Sequence, residues 1–216
     1  YSYYTYQCDS LMASPNGDKL WDSFLAEAVG KGLKGKQLHN AIPHRRMSAT
    51  IYKNYPQGKI TVTDFLLGQY YLYEDALNSQ EWNIESDSMK VVLGHECQKA
   101  TCSFRGRKWT AWFALDVPVS DGPLKFCGLP GLIMEVYDRG KQYYFCINGM
   151  QQVSATPITF GKLDKDFKHF QKINRKDFLL SKYRYLRNQN SINEASTGIS
   201  LGSVDEALKY DLIEKE

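Results

Sequence analysis

Between Ala49 and Phe160 the chain is cut repeatedly by turn-forming residues: Pro56-Gln57-Gly58, Arg105-Gly106, Gly122-Pro123, Gly128-Leu129-Pro130-Gly131 and Asp138-Arg139-Gly140. The runs between them are short and rich in aromatic and β-branched residues, which suit a pleated, half-buried surface. This spacing predicts a meander of antiparallel strands. The expected strands are Ala49–Tyr55, Lys59–Phe65, Gln69–Tyr73, Trp82–Glu85, Met89–Leu93, Glu96–Phe104, Arg107–Val117, Leu132–Tyr137, Gln142–Ile147 and Gln151–Phe160. Tyr1–Cys8 reads as a further strand. Hairpins are expected at Pro56-Gln57-Gly58 and at Asp138-Arg139-Gly140.

The central strands are apolar on both sides. From Arg107 to Val117 the odd positions carry Trp109, Ala111, Phe113, Leu115 and Val117, an apolar face. The even positions carry Lys108, Thr110, Trp112, Ala114 and Asp116, a mixed face that still holds a tryptophan. Leu132–Tyr137 is apolar in both parities apart from Glu135. A sheet of this kind needs cover on both faces. Helices can supply one cover, and curvature of the sheet on itself the other. The expected class is therefore α+β, mainly β: a curved, half-barrel-like antiparallel meander with a few packing helices.

The helices are sought at the two ends. Leu20, Phe24 and Ala28 recur at helical spacing in Lys19–Val29, which Gly30 and Gly32 stop. Lys31–Arg46 reads as a basic loop. Phe167, Phe170 and Ile173, then Phe178, Leu179, Tyr183 and Leu186, suit one or two helices with a basic outer face. Asn188–Gly202 is polar and reads as mobile, and Val204–Ile213 as a short helix or strand. The organisation expected is one β-rich domain over 1–190 and a polar, partly mobile tail over 191–216.

A 216-residue chain is the size of one large domain and can bury roughly 70% of its unfolded surface. Hydrophobic residues at 43% and charged residues at 24% exclude global disorder. The net charge of +3 is too small to imply a nucleic-acid partner. Charge is nevertheless uneven. Lys162–Arg187 carries nine basic residues against three acidic ones, and Val204–Glu216 five acidic against two basic. The first run is either a solvated helix face or a docking surface for an anionic partner. No segment approaches ~18 consecutive apolar residues, so no membrane-spanning helix is expected. The sequence opens on Tyr1 without a signal peptide, as a processed chain would.

Several constellations fail. No phosphate-binding or dinucleotide glycine pattern occurs. His95-Glu96 begins like a zincin helix, but Lys99 stands where the second histidine belongs. His95 and Cys97 share a strand face, yet Cys102 differs from them in parity and would need a bulge to join as a ligand. Five cysteines cannot all pair with one another, and no C-x-x-C occurs. Cys127 beside Gly128 has no identifiable basic partner, without which a thiol is a poor nucleophile. Asp116 and Glu135 offer a carboxylate pair of no special spacing. No catalytic residue, metal or cofactor is assigned.

Three stretches carry a resemblance: Cys97-Gln98-Lys99-Ala100-Thr101, Phe104 to Phe113, and Asp121 to Ile133, the last ending in Gly128-Leu129-Pro130-Gly131-Leu132-Ile133. In this order they resemble the GLPGLI family, named for those six residues. Ile51-Tyr52-Lys53-Asn54 and the stretch onward through Trp82 are similar too, so that the resemblance covers most of the chain. Leu124 is a departure, since such sequences commonly carry Trp there. The resemblance implies a protein exported to the Gram-negative envelope, periplasmic or associated with the outer membrane, often found beside outer-membrane transport systems. It implies no activity, because the family is of unknown function. The meander is also similar to the half-barrels of lipoprotein carriers, at the level of fold alone.

In the same segment Gly128 and Gly131 allow torsions or close approaches that a Cβ forbids, and Pro130 fixes its own φ and extends Leu129. The motif either turns the chain and drops Leu132 and Ile133 into the core, or brings backbone close to a ligand. Arg105, Arg107, Trp109 and Trp112 either clamp strands by cation–π contact or hold a ligand group by the same chemistry. Trp112 is the better binding candidate, being opposite the apolar parity. The ligand-binding candidates are thus Arg105, Arg107, Trp109, Trp112, Gly128, Pro130 and Gly131. The leading expectation is a binding or accessory protein for an apolar or mixed ligand or an outer-membrane transport component. The alternatives are a hydrolase using Cys127 or a metal near His95, and a structural interaction module using Lys162–Arg187.

Overall fold

The structure, a computed structural model, describes residues 17–41, 49–152, 170–197 and 212–215. The chain forms two compact units, Tyr1–Ala49 and Thr50–Glu216.

In the first unit, helix α1 (Gly17–Gly30) lies where the Leu20, Phe24 and Ala28 spacing predicts it. It ends with the Leu33 N–H donating to the Ala28 carbonyl at 3.1 Å and with Gly32 at φ +71°, a conformation open to glycine. A second helix, α2 (Gly35–Ala41), follows. The expected loop over Lys31–Arg46 is thus helical in its middle. Gly30, Gly32 and Gly35 mark a break between two helices rather than the end of helical structure.

The second unit is α+β and mainly β, as expected, and its strands lie in two open sheets. The first sheet has the order β1 (Thr50–Lys53), β2 (Lys59–Leu66), β3 (Gln69–Ala76), β9 (Gln171–Lys172). Its pairings are antiparallel except β3–β9, which is parallel. The second is an antiparallel meander: β4 (Asn83–Val92), β5 (His95–Phe104), β6 (Arg107–Ala114), β7 (Leu132–Asp138), β8 (Tyr144–Cys146). The two runs expected at Trp82–Glu85 and Met89–Leu93 are one strand, β4, with a bulge between Glu85 and Met89. Most of the strand expected at Gln151–Phe160 lies outside the described residues, as do Tyr1–Cys8 and residues 204–211.

Local chemistry explains the meander. Three hairpins close on two residues that both have positive φ: Leu67-Gly68, Leu93-Gly94 and Arg105-Gly106. Such turns carry the twist of paired strands, and glycine at the second position removes half of their steric cost. The β1–β2 turn contains a cis Tyr55–Pro56 bond. Asn54 Oδ1 accepts from the Gly58 N–H at 2.8 Å across it.

Helix α3 (Arg175–Thr197) covers the first sheet. Asn174 caps it, accepting from the Asp177 N–H at 2.9 Å. Phe178 is buried against Tyr71 and Tyr73, with ring centroids 5.7 and 5.4 Å away. This helix runs on to Thr197, so Asn188–Thr197, read as polar and mobile, is helical. The other core lies on one face of the second sheet, where Trp109, Phe113, Ile133 and Val136 meet Phe126 and Leu129. Trp109 and Phe113 are at most 2% exposed, which places the odd parity of β6 inward as the alternation predicts.

Phe126 and Leu129 belong to the long connection from Leu115 to Gly131. Phe126 packs edge-on to Trp109 at 4.7 Å. The Lys53 ammonium holds the loop from below, donating to Asp121 Oδ1 and the Gly122 carbonyl at 2.5 Å and to the Phe126 carbonyl at 2.8 Å. Trp82 Nε1 and Gln80 Nε2 donate to the Cys127 and Lys125 carbonyls. Buried loop carbonyls are costly without donors, and these three side chains supply them.

Candidate functional site

The structure separates the seven candidate residues into three places. Gly128, Pro130 and Gly131 shape the end of the long loop. Gly128 has φ +92°, which glycine tolerates. A Cβ at Gly131 would meet the Ala114 carbonyl oxygen at 2.0 Å, so the loop passes against the end of β6 only because that atom is missing. Leu129, Leu132 and Ile133 are buried around this crossing, while Gly128 and Pro130 are exposed. The motif turns the chain and delivers apolar residues to the core.

Arg105, Arg107 and Trp109 lie on the core side. Trp109 donates from Nε1 to the Phe104 carbonyl at 3.0 Å, a buried structural bond. The rings beneath the guanidiniums are Phe104 for Arg105 (5.2 Å) and Tyr143 for Arg107 (4.8 Å), where the sequence suggested tryptophan. Arg107 is buried and donates to Asp138 Oδ2 at 2.8 Å and to the Ile213 and Leu212 carbonyls at 3.0 and 2.8 Å. Arg105 donates to Asp75 Oδ1 at 2.5 Å. Around it stands a buried ionic cluster. Lys125 Nζ is 2.5 Å from Glu214 Oε1 and 3.2 Å from Asp75 Oδ2, and Arg175 Nη1 is 3.1 Å from Glu214 Oε2. Tyr73 lies among these groups. Burial first, then the Glu214, Asp75 and Asp64 carboxylates, push its hydroxyl far above the ordinary phenol range.

Trp112 stands apart, on the opposite face of the second sheet. Register places it between Lys99 of β5 and Glu135 of β7. Lys90 Nζ of β4 sits 5.0 Å from its ring centroid and 2.6 Å from Glu135 Oε2, so one ammonium caps both an aromatic face and a buried carboxylate. Lys99 is paired with Glu85 at 2.8 Å. Tyr137 and Tyr144 continue the face, paired across β7–β8 with rings stacked at 5.9 Å. The Tyr144 hydroxyl is pushed up to about 12, by desolvation and then by the Glu135 carboxylate and Cys146 beside it. In the middle of this face Trp112 Nε1 is buried and has no acceptor among the described residues.

Sequence reasoning found Trp112 by strand parity. It missed Lys90, Glu135, Tyr137 and Tyr144, which register brings to the same face. Parity within β7 does put Glu135 and Tyr137 together, but which strand lies beside which is not a local property. The acidic partners of the ionic cluster were equally hidden, because 138 residues separate Asp75 from Glu214 in the chain.

The three buried thiols, Cys97, Cys102 and Cys127, are not poised for nucleophilic attack. Cys127 is buried, with Gln80 Oε1 and the Lys125 carbonyl each 3.6 Å from its sulfur, and burial pushes its thiol up. Burial likewise raises Cys97, and raises Cys102 to about 12. A nucleophilic cysteine needs the opposite shift. Among the described residues Cys97, Cys102, Cys127 and Cys146 are unpaired. Cys97 and Cys102 point to opposite faces of β5, as their parity predicts. His95 Nδ1 meets Asp116 Oδ2 at 2.7 Å, and Glu135 meets Lys90, so the two carboxylates have separate partners. Among the described residues no group of three His, Cys, Asp or Glu is placed to hold a metal ion. Among the described residues three cations of the basic Lys162–Arg187 run are paired with carboxylates: Arg175 with Glu214, Lys182 with Asp64 at 2.6 Å and the exposed Lys172 with Glu74 at 3.5 Å. Among the described residues no helix is long and apolar enough to cross a membrane.

A family model described as "Protein of unknown function (Porph_ging)" matches residues 105–135. That stretch runs from the β5–β6 turn into β7 and holds all seven candidate residues and Glu135. No curated protein matches the chain. Two solved structures titled "Structure of PNGF-II", in the C2 and P21 space groups, are similar at 14% identity, with TM-scores of 0.43 and 0.38. The matches cover 64% and 57% of this chain and 25% and 22% of those chains. This chain therefore spans about a quarter of their length, and the likeness is too slight to carry any function across. What the comparisons do show is a 31-residue match, over β6 with Trp112, the long loop and the start of β7, to a family of unknown function.

Proposed function

We propose that this chain is a non-catalytic binding or accessory protein of the GLPGLI family, exported to the periplasm or the outer membrane, and that it holds its ligand on the Trp112 face of the five-stranded sheet. The observation that carries the reading is the buried Trp112 Nε1–H, which has no acceptor among the described residues. Such a group costs about 1–3 kcal/mol, and a ligand oxygen placed there would restore the lost bond. The surroundings define the ligand class. Tyr137 and Tyr144 offer stacked aromatic surface, while Lys90 and Lys99 are ammonium groups already balanced by Glu135 and Glu85. That combination suits a neutral ligand with a flat or apolar side and an exposed carbonyl or hydroxyl oxygen. Support for the family and the compartment comes from the Gly128–Ile133 motif and its companion stretches; support for a non-catalytic role comes from the raised thiols.

Native mass spectrometry of the chain purified gently from envelope fractions tests this. A small molecule should travel with the wild-type protein and be lost from the Trp112→Phe variant, which keeps the ring and removes the donor. A wild-type protein that is consistently empty, or a molecule retained equally by both, would reject the site. Recovery of the native chain in the cytosolic fraction alone would reject the compartment.

A further inference from the structure

Helix α3 has two faces of opposite character. Arg175, Phe178 and Lys182 turn inward: Arg175 and Phe178 are buried, and Lys182 donates to the buried Asp64 at 2.6 Å. Opposite them stand Lys176, Leu180, Tyr183, Arg184 and Arg187, all exposed. At 3.6 residues per turn these five positions fall within an arc of about 100°. One ridge of the helix therefore carries three cations with two apolar side chains among them. Leu180 is 47% and Tyr183 40% exposed.

The charges on this ridge are not consumed within the fold. Arg175, Lys182 and Lys172 each have a carboxylate partner, whereas Lys176, Arg184 and Arg187 have none among the described residues. From Arg175 to Asn188 the helix has one carboxylate, Asp177, at the border of the ridge. It belongs to the N-terminal cap, where its side chain accepts from Asn174 Nδ2 and its N–H donates to Asn174 Oδ1. Three cations thus face one acid.

Shape decides what can meet such a ridge. A single helix face is convex, and Leu180 and Tyr183 project from it. A protein partner would need a groove fitted to two protruding side chains. A fluid bilayer deforms around them, takes apolar tips below its headgroups and presents phosphates where lysine and arginine side chains end. Tyrosine also favours that boundary. Nucleic acid offers phosphates but no apolar layer for Leu180.

We infer that the Lys176–Arg187 ridge of α3 is a docking surface for a bilayer containing anionic phospholipid, with the cations on headgroup phosphates and Leu180 and Tyr183 at the acyl boundary. The ridge lies on the helix that covers the first sheet, and it needs nothing from the Trp112 face of the second. Each basic side chain at an anionic surface strengthens binding roughly five-fold. Three of them, opposed by Asp177, should favour an anionic over a neutral bilayer by at least about ten-fold.

Sedimentation of the full chain with lipid vesicles tests this. One set is phosphatidylcholine alone, and the other contains about one third phosphatidylglycerol. Wild type should bind the anionic set at least ten-fold more tightly, and about 0.5 M salt should remove the preference. The Lys176→Gln/Arg184→Gln/Arg187→Gln chain, altered only at exposed positions, should lack the preference at low salt. The Leu180→Ser/Tyr183→Ser chain should bind anionic vesicles at least five-fold more weakly than wild type. Trp112→Phe should bind them as wild type does, which keeps this result separate from the fate of the ligand reading. Circular dichroism checks that each chain is folded. Equal binding of wild type to both sets, binding to neither, or undiminished binding by the triple variant would overturn the docking surface. Polyglutamate bound as tightly as anionic vesicles, with that binding lost in the triple variant and kept by Leu180→Ser/Tyr183→Ser, would overturn the bilayer as the occupant in favour of an acidic protein.

Discussion

Gly131 and Ala114 touch through backbone alone: a Cβ on residue 131 would lie 2.0 Å from the Ala114 carbonyl oxygen and 2.7 Å from its carbon. No rotamer relieves a clash between two backbones, so the loop or the end of β6 must move. Gly131→Ala should cost about 3 kcal/mol or more, the scale of a severe packing fault. Gly128→Ala is the control. Its nearest neighbour would be 3.7 Å away and only its φ of +92° is at issue, so about 1–2 kcal/mol is expected. Urea unfolding of the two variants checks the order.

Trp109 and Trp112 are three residues apart and should respond in opposite ways. Trp109→Phe removes a buried hydrogen bond and leaves a void against Phe126, a loss of about 2 kcal/mol or more. Trp112→Phe removes a donor that has no acceptor, and stability should stay within about 0.5 kcal/mol of wild type or rise. Thermal melts by circular dichroism read this directly. A Trp112→Phe loss as large as that of Trp109→Phe would mean the indole is structural.

Glu214 holds cations that nothing else fully neutralises. Glu214→Gln leaves Lys125 and Arg175 buried beside a neutral amide, and breaking such a group by removing one partner costs about 3–5 kcal/mol. Charge reversal of the exposed Lys31–Glu27 pair at the end of α1 should leave the denaturation midpoint essentially unchanged. Denaturant midpoints of the two variants measure the difference.

The buried thiols set the alkaline limit. Below pH 9 they are protonated in both folded and unfolded chains, so they add no pH dependence. Above it the unfolded chain releases protons that the fold retains, and stability falls as pH rises. Cys102 acts across the window from its ordinary value of 9.0 to about 12, with Cys97 and Cys127 in the same direction. Each contributes up to about 1.4 kcal/mol per pH unit. Stability measured from pH 8 to 11 should decline, and Cys102→Ala should lessen the slope by one proton.

The strands of the second sheet were legible because their signals are local. Alternation in Arg107–Val117 placed Trp109 and Phe113 inward, and Arg105-Gly106 marked a two-residue turn whose first residue tolerates φ +50°. The helix over Gly35–Ala41 was hidden by Gly30, Gly32 and Gly35 around its start, which in isolation disfavour helix. Continuation of α3 through Asn188–Thr197 was hidden for a related reason: its residues are mostly polar and show no apolar periodicity from which a helix could be read. The division into two sheets was not legible at all. It depends on β3 pairing with Gln171 and Lys172, about a hundred residues away. Of the site, Trp112 could be reached through parity, while Lys90 and Glu135 come to it only through pairing with neighbouring strands.

The bulge in β4 has a consequence for how the molecule behaves in a crowded solution. Among the described residues this strand forms one border of its sheet, bonded to β5 alone, and exposes Ile84, Met89 and Val91. A straight border of that composition would template the addition of foreign strands. The interruption between Glu85 and Met89, which includes Asp87, breaks the row of free amides and carbonyls into two stretches too short to recruit a neighbour. The irregularity thus guards the protein's solubility, and a straightened β4 would invite fibrous self-association.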